Sequence, residues 1–419
     1  QLGVLSFLIL SSCGQNSHMT MDAVTAPTDI TAPTANLSGG ASGTTNTALQ
    51  TITVTFSEAV VAGISAGDFN ITNGSLSNLN CIPALAPTSC TFDVTASGQG
   101  AVNVQMPASA VQDAAGNNND ASNVIAWTFD SVGPTESLAI EVGEPASGSS
   151  TNDSSIALTL TASEALAALV AGDFTCTNCT VSGISGSGTS WTLNVIPSGL
   201  GAVSVELAAS AVQDGAGNSN VAASNNLNWT YNNVAPALTL APASGAPASG
   251  STTNTSPIAV ELTSSAIVTG LVAGDIVCTG CTINNFSGSG ASYSFNVLPS
   301  GQGAFSVNVP ASVAQDAATN QNTASNTLNW NYDTSAPSAT LAVGSGGAAS
   351  GSTTNAASIP ITVSMGESVT GLIAGDFTCT NCTLSGFSGS GSSYSFNVVP
   401  TASGAVSVQL PAASAADAA

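Results

Sequence analysis

A segment of about 101 residues recurs along this 419-residue chain, so the fold must be one module built several times. Ala-Gly-Asp stands at Ala66-Gly67-Asp68, Ala171-Gly172-Asp173, Ala273-Gly274-Asp275 and Ala374-Gly375-Asp376, in steps of 105, 102 and 101 residues. Gln112-Asp113, Gln213-Asp214 and Gln315-Asp316 follow the same spacing, with Asp417 in the fourth place. A tryptophan recurs at Trp127, Trp229 and Trp330, and a linker proline at Pro33, Pro134, Pro236 and Pro337. Four domains are expected, over 34–133, 134–235, 236–336 and 337–419. The last stops short of its tryptophan strand and is expected to be truncated.

Within a copy the hydrophobic period is two. In the second, Ile156-Ala157-Leu158-Thr159-Leu160, Trp191-Thr192-Leu193-Asn194-Val195, Val203-Ser204-Val205-Glu206-Leu207 and Leu227-Asn228-Trp229-Thr230-Tyr231 all alternate. Alternation places one face of each strand in a core and the other in water, as in an antiparallel sandwich. Turn residues separate the runs, at Gly186-Ser187-Gly188, Pro197-Ser198-Gly199 and Gly215-Ala216-Gly217-Asn218. The Ala-rich stretch from Ala162 to Ala171 is expected to hold one short helical turn. The fold class is all-β, a tandem array of antiparallel β-sandwiches.

Several motifs in a row then carry a family resemblance. Phe56-Ser57-Glu58, Ala66-Gly67-Asp68-Phe69, Gln112-Asp113-Ala114-Ala115-Gly116-Asn117 and Trp127-Thr128-Phe129-Asp130 with Pro134 resemble the bacterial immunoglobulin-like (Big-type) domains. The resemblance covers about 34–419. It implies Ig-like sandwiches of seven strands, used in tandem by surface proteins and adhesins. The third copy departs from the pattern: Ile276 replaces Phe, and Asp316-Ala317-Ala318-Thr319-Asn320 has lost the glycine.

The first residues read differently. Leu2 to Leu10 is an apolar run too short to span a bilayer, which takes about 20 residues, but of signal-peptide length. Leu10-Ser11-Ser12-Cys13 resembles a bacterial lipobox, which implies that 1–13 hold a partial lipoprotein signal peptide ending at Cys13, and that Cys13 is lipidated and becomes the mature N-terminus. Gly14 in the next place points to the outer membrane or cell surface. The basic flank of a signal peptide is missing, so the sequence is expected to begin inside one. Residues 14–33 read as a flexible tether, and His18 within it as an exposed residue. The expected partners are the membrane, through the lipid, and either a second copy or a surface ligand.

Charge excludes several function classes. The chain has no lysine or arginine, one histidine and 23 acidic residues, for a net charge of −23. Nucleic acid has no counter-charge to bind, and phosphate clamps and Schiff-base chemistry are excluded with it. Serine is abundant, but no Gly-x-Ser-x-Gly elbow comes with a histidine partner. The remaining chemistry, paired carboxylates, recurs in every copy, whereas an active site is normally built once. The chain is read as a non-enzyme, with no cofactor required. The lack of lysine also leaves strand edges without their usual protection.

Nine cysteines divide into Cys13 and two per copy: Cys81/Cys90, Cys176/Cys179, Cys278/Cys281 and Cys379/Cys382. One disulfide per domain in an oxidising compartment fits this count, and a β-turn brings its first and fourth residues within disulfide reach. Metal and redox alternatives fit less well. Zinc needs four ligands per site, and a thioredoxin-like thiolate needs a nearby helix or cation. Haem attachment needs a histidine where Thr180, Thr282 and Thr383 stand.

The recurring acids allow two readings. Asp130 and Asp333, at domain junctions, are candidate calcium ligands, although Asn232 occupies the middle junction. Asp113 and its equivalents are expected to form Asx turns with the amides that follow. Trp191, Tyr293 and Tyr394, at equivalent strand positions, are either core residues or sugar-stacking aromatics. Three functions remain: a lipid-anchored stalk of adhesin type, a filament or surface-layer subunit joined through sheet edges, and a glycan-binding module.

Overall fold

The computed structural model describes residues 28–419. The apolar run, Cys13 and His18 lie outside the described residues. No helix among the described residues is long and apolar enough to cross a membrane.

The second domain illustrates the module. One sheet pairs Ile156–Leu166 with Glu136–Ile140 on one side and Cys179–Pro197 on the other, all antiparallel. The facing sheet runs in the order Ser150–Thr151, Leu227–Tyr231, Gly201–Leu207, Phe174–Thr177, and its first pair is parallel. The two-residue period sets which side chains meet. Ile156, Leu158 and Leu160 point inward from one sheet and Val203, Val205 and Leu207 from the other, all essentially inaccessible to water. Each such side chain contributes about 1.5–3 kcal/mol over its exposed state. Trp229 closes the core, and its Nε1 donates to the Pro145 carbonyl at 2.9 Å.

The same arrangement builds separate cores around Ile52 and Phe92, around Leu262 and Phe295, and around Val363 and Phe396. The first domain differs at its tryptophan. Trp127 Nε1 is buried without a partner; the loop that supplies Pro145 and Pro247 in the next two domains is shorter there, residues 40–42 against 141–149 in the second.

The helical turn is not in Ala162–Ala171 as the composition suggests. The strand runs on to Leu166, burying Ala162 and Leu166 in step with its period, and the turn is the Ala-Gly-Asp motif itself, at Ala171–Asp173. Its aspartate explains the repeat. Asp68, Asp173, Asp275 and Asp376 each accept the backbone N–H three residues earlier, at 2.7–2.8 Å. That bond holds the bend at which the chain passes from one sheet to the other.

The disulfides sit just beyond this bend. Cys176–Cys179, Cys278–Cys281 and Cys379–Cys382, with Cα atoms 5.4–5.5 Å apart, each join the short strand of one sheet to the long strand of the other. Asn178, Gly280 and Asn381 cross the gap at positive φ. The Asn178 and Asn381 side chains also donate to carbonyls of the following loop. In the first domain Asn73 has the same backbone, but the bridge Cys81–Cys90 joins two directly paired residues of one sheet.

One of the edges left without lysine is interrupted by its backbone. In the first domain the outermost strand Gly74–Ile82 breaks register between Ser77 and Asn80, with Asn78 at φ 54°. Gly183, Asn285 and Gly386 occupy the aligned places, also with positive φ. A bulge bends the edge away from flat pairing with another chain, which is a substitute for charge.

Candidate functional site

The residues of chemical interest converge where one domain meets the next. Asp214 begins an Asx loop: its Oδ1 accepts the N–H groups of Ala216 and Asn218, both at 2.8 Å, and its Oδ2 accepts Asn218 Nδ2 at 2.8 Å. Asp113 and Asp316 repeat the loop with Asn117 and Asn320. These amides satisfy the buried carboxylates, and in Asp113 the Asn117 side chain, followed by backbone amides, holds the carboxyl below its ordinary pKa.

The loop also grips the linker. Asn218 Nδ2 donates to the Asp130 carbonyl at 3.0 Å, and Asn320 Nδ2 to the Asn232 carbonyl at 2.8 Å. On the other side, the N–H groups of Asp130, Asn232 and Asp333 bond to Thr45, Thr151 and Thr253 of the preceding domain. Residues 130 and 232 are thus fastened by their backbones to both neighbours. Gly133 lies against the Ser219 backbone so closely that a Cβ there would collide with the Ser219 carbonyl.

This geometry gathers acids that are remote in sequence. Asp130, Glu164 and Asp214 bring one carboxylate oxygen each to within 4.8 Å of one another, as do Asp333, Glu367 and Asp417, and Asp29, Glu58 and Asp113. Asp130 and Asp333, the candidates from sequence, are therefore each one member of a three-residue group. Their glutamate partners were hidden because strand and linker are adjacent only in space. Desolvation first, and then the neighbouring aspartates, raise the Glu58, Glu164 and Glu367 carboxyl pKa values.

The groups have the oxygen chemistry of a hard cation, and Glu164, Asp130 and Asp214 are the side chains that could hold one. Calcium takes six to eight oxygens. Three carboxylates are on hand, but Asp214 is already engaged by amides and the Asp130 carbonyl by Asn218. The joint between the second and third domains has no such group: Asn232 stands in the aspartate's place and Ala266 in the glutamate's.

The three aromatics do not form one surface. Tyr293 and Tyr394 are core residues, 7% and 6% exposed, with hydroxyls bonded to the Val268 and Val369 carbonyls at 3.3 Å. They stack on Phe286 and Phe387. Trp191 is half-buried and lines an open groove of about 490 Å³ beside Leu169, Val170 and Ile184.

These modules, paired sheets with an inter-sheet core and joints formed by one loop, define an array of Ig-like β-sandwiches. The bacterial Ig-like domain family matches residues 29–129, 130–231 and 333–419, well over half the chain, and the protein belongs to that family. No curated protein matches it. Among solved structures the chain is similar to invasin, a bacterial integrin-binding protein, with 12% identity over 90% of this chain and 76% of that one, at a TM-score of 0.30. It is similar to InvD of Yersinia pseudotuberculosis with 14% identity over 67% of this chain and 92% of that one, at 0.29. The S-layer protein SbsC gives 12% identity over 91% and 64%, at 0.18.

Proposed function

We propose that this protein is a non-enzymatic stalk of adhesin type, in which disulfide-stapled Ig-like domains project a distal region from the bacterial cell surface. The observation that carries this reading is the joint. Asp130 and Asn232 are each bonded to the domain before and the domain after, so force along the chain passes through fixed contacts. Anchoring at Cys13 through lipid, and the outer membrane as location, are part of the same proposal. The acids offer structural bonds and recurring joint groups in place of one catalytic pair, which supports a role without chemistry.

The filament reading is less well supported, because the outer strand breaks register in the first domain and carries a positive-φ residue at the aligned place in the other copies. The glycan reading loses Tyr293 and Tyr394 to the core.

Small-angle scattering of the full chain tests the stalk. A rod of four domains spans on the order of 150 Å, from strands of about 6–7 residues plus end loops. A globular chain of this length has a radius of gyration of about 22 Å, and that value would refute the proposal. Incorporation of labelled palmitate at Cys13, lost in Cys13→Ala, tests the anchor.

A further inference from the structure

The first domain carries a longer hairpin than the other copies. Cys90 lies 24 residues after Ala66, whereas Trp191, Tyr293 and Tyr394, at the same pairing position, lie 20 residues after Ala171, Ala273 and Ala374. The four extra residues fall at the hairpin tip. Its loop reads Pro83-Ala84-Leu85-Ala86-Pro87-Thr88, where the later domains turn on Gly186-Ser187-Gly188, Gly288-Ser289-Gly290 and Gly389-Ser390-Gly391. The Cys81–Cys90 bridge, and the Thr88 N–H donating to the Ile82 carbonyl at 3.2 Å, close the loop at its base. Pro87 is buried, and its carbonyl accepts the Val60 N–H at 3.0 Å. Leu85 and Ile82 are left 87% and 66% exposed.

The loop stands at the end of the domain where the chain enters. Val60 bridges to Asp113, whose carboxylate meets those of Asp29 and Glu58. Two further places at this end change with it. Ile30 follows Asp29 where Ser131, Asn233 and Thr334 stand in the later domains. Val61 donates its N–H to the Gln112 carbonyl, the bond that Ala167, Thr269 and Thr370 make in the later copies. Both are exposed, by 86% and 51%. Single exposed apolar residues are ordinary. Four gathered at one end, with small or polar residues at the matching places elsewhere, mark an interaction surface. In the second and third domains this end receives the preceding domain: Asn218 holds the Asp130 carbonyl, and Asn152 of the second domain bonds to Asn320 of the third. Before the first domain come residues 14–27 and Cys13.

We infer that this end of the first domain is a second membrane contact, an apolar foot of Ile30, Val61, Ile82 and Leu85 that rests in the surface of a lipid bilayer. The inference rests on the anchor at Cys13 proposed above. Cys13 precedes residue 28 by 15 residues, so a lipid there keeps the foot within about 54 Å of the bilayer even with the chain fully extended. Confinement to that distance raises the effective concentration of the surface, and shallow contacts then suffice. Charge decides the kind of surface. The chain has no lysine or arginine, and Asp29, Glu58 and Asp113 lie at the same end, so nothing attracts it to anionic headgroups. The contact that fits is apolar side chains entering a neutral lipid surface. The bridge and the buried proline fix the loop beforehand, which lowers the ordering cost of that contact. A lipid alone limits how far the first domain strays. The foot sets how the domain stands, and the bonded joints carry that direction along the array.

The test uses the chain from Cys13 to Ala419, which keeps every described residue. Its Cys13 thiol is coupled to a maleimide phospholipid in phosphatidylcholine vesicles with brominated acyl chains. A fluorescent non-natural residue replaces Leu85 or, as control, Leu49, which is exposed at the far end of strand Leu49–Phe56, about 23 Å away at the rise of a strand. Bromine is expected to quench the probe at 85 at least threefold more than the probe at 49. The triple variant Ile30→Ser, Val61→Ser, Ile82→Ser, all at exposed positions, should cut the quenching at 85 by at least half. Equal quenching at the two sites, or quenching at 85 that the triple variant leaves unchanged, would overturn the inference. So would a dimer in lipid-free solution that Leu85→Ser abolishes, since the loop would then belong to a second copy. Failure of the anchor reading appears separately, as no palmitate at Cys13 in cells, and leaves the quenching measurable because the coupling is chemical.

Discussion

Asn218 donates from one amide nitrogen to both Asp214 Oδ2, at 2.8 Å, and the carbonyl of Asp130, at 3.0 Å. A single side chain therefore closes the Asx loop of the second domain and fastens the linker to it. Asn117 with Asp29 and Asn320 with Asn232 repeat the contact. Asn218→Ala removes both bonds, at a cost of about 1 kcal/mol each. Asn218→Asp should be worse, since a carboxylate cannot donate and would sit against Asp214. Amide exchange at residues 131–133 is expected to accelerate in both variants and more in the second.

The tryptophans give a paired comparison. Trp229→Phe leaves the Pro145 carbonyl without its donor, whereas Trp127→Phe removes a donor that has no acceptor. An unpaired buried polar group costs about 1–3 kcal/mol. Trp127→Phe should therefore cost less than Trp229→Phe by about 1–2 kcal/mol on the same grounds. Hydrogen exchange resolved by domain measures the difference.

Gly288 lies in the hairpin of the third domain at φ 117°, and a Cβ there would come within 2.6 Å of Tyr293 Cα. Gly186 and Gly389 make the same approach to Trp191 and Tyr394. Gly288→Ala combines strained backbone with a backbone collision and should destabilise the third domain by about 1–3 kcal/mol. Gly301→Ala, with open space at its Cβ, is the control. Chemical denaturation of the two variants separates them.

Glu136 occupies the strand position that Ala35, Leu238 and Ala339 hold in the other domains, where Ala35 and Leu238 are buried. Both its carboxylate oxygens are buried without a hydrogen bond. Desolvation raises its pKa from 4.5 to about 7. Asn220 partly offsets this from outside hydrogen-bond geometry, and Glu164 adds to it. A raised folded-state pKa means that the folded domain holds the proton more tightly than the unfolded chain. The stability of the second domain is thus fullest below pH 4.5 with respect to this group, and declines as pH rises through about 7. Glu136→Leu should abolish that decline and stabilise the domain at neutral pH, as read from melting curves at pH 5 and pH 8.

Much of the module was legible in the chain because its signals are local. The alternation of Ile156, Leu158 and Leu160 marks a half-buried strand wherever the strand is placed. The turn between paired cysteines was legible for the same reason, since Asn178 and Gly280 adopt its positive φ without help from neighbours. The helical turn was misplaced by a few residues because alanine favours helix in isolation. Burial of Ala162 and Leu166 in a sheet outweighed that preference.

The carboxylate groups were only half legible. Asp130 and Asp333 stood out by their position, but nothing in the order of residues links Asp130 to Glu164. Equally, Tyr293 and Trp191 hold the same strand position and differ in exposure, because Phe286 covers one and the smaller Ile184 leaves the other open.

The sequence by itself determined the repeat, the strand pattern, the cysteine count and the absence of lysine and arginine, since each depends on residue type and spacing alone. Only the tertiary structure decided which acids face one another and which joint is bonded instead. Those relations arise between strand, linker and loop across domain boundaries, where a contact such as Asn232 to Asp316 spans 84 residues and is set by how two folded surfaces meet.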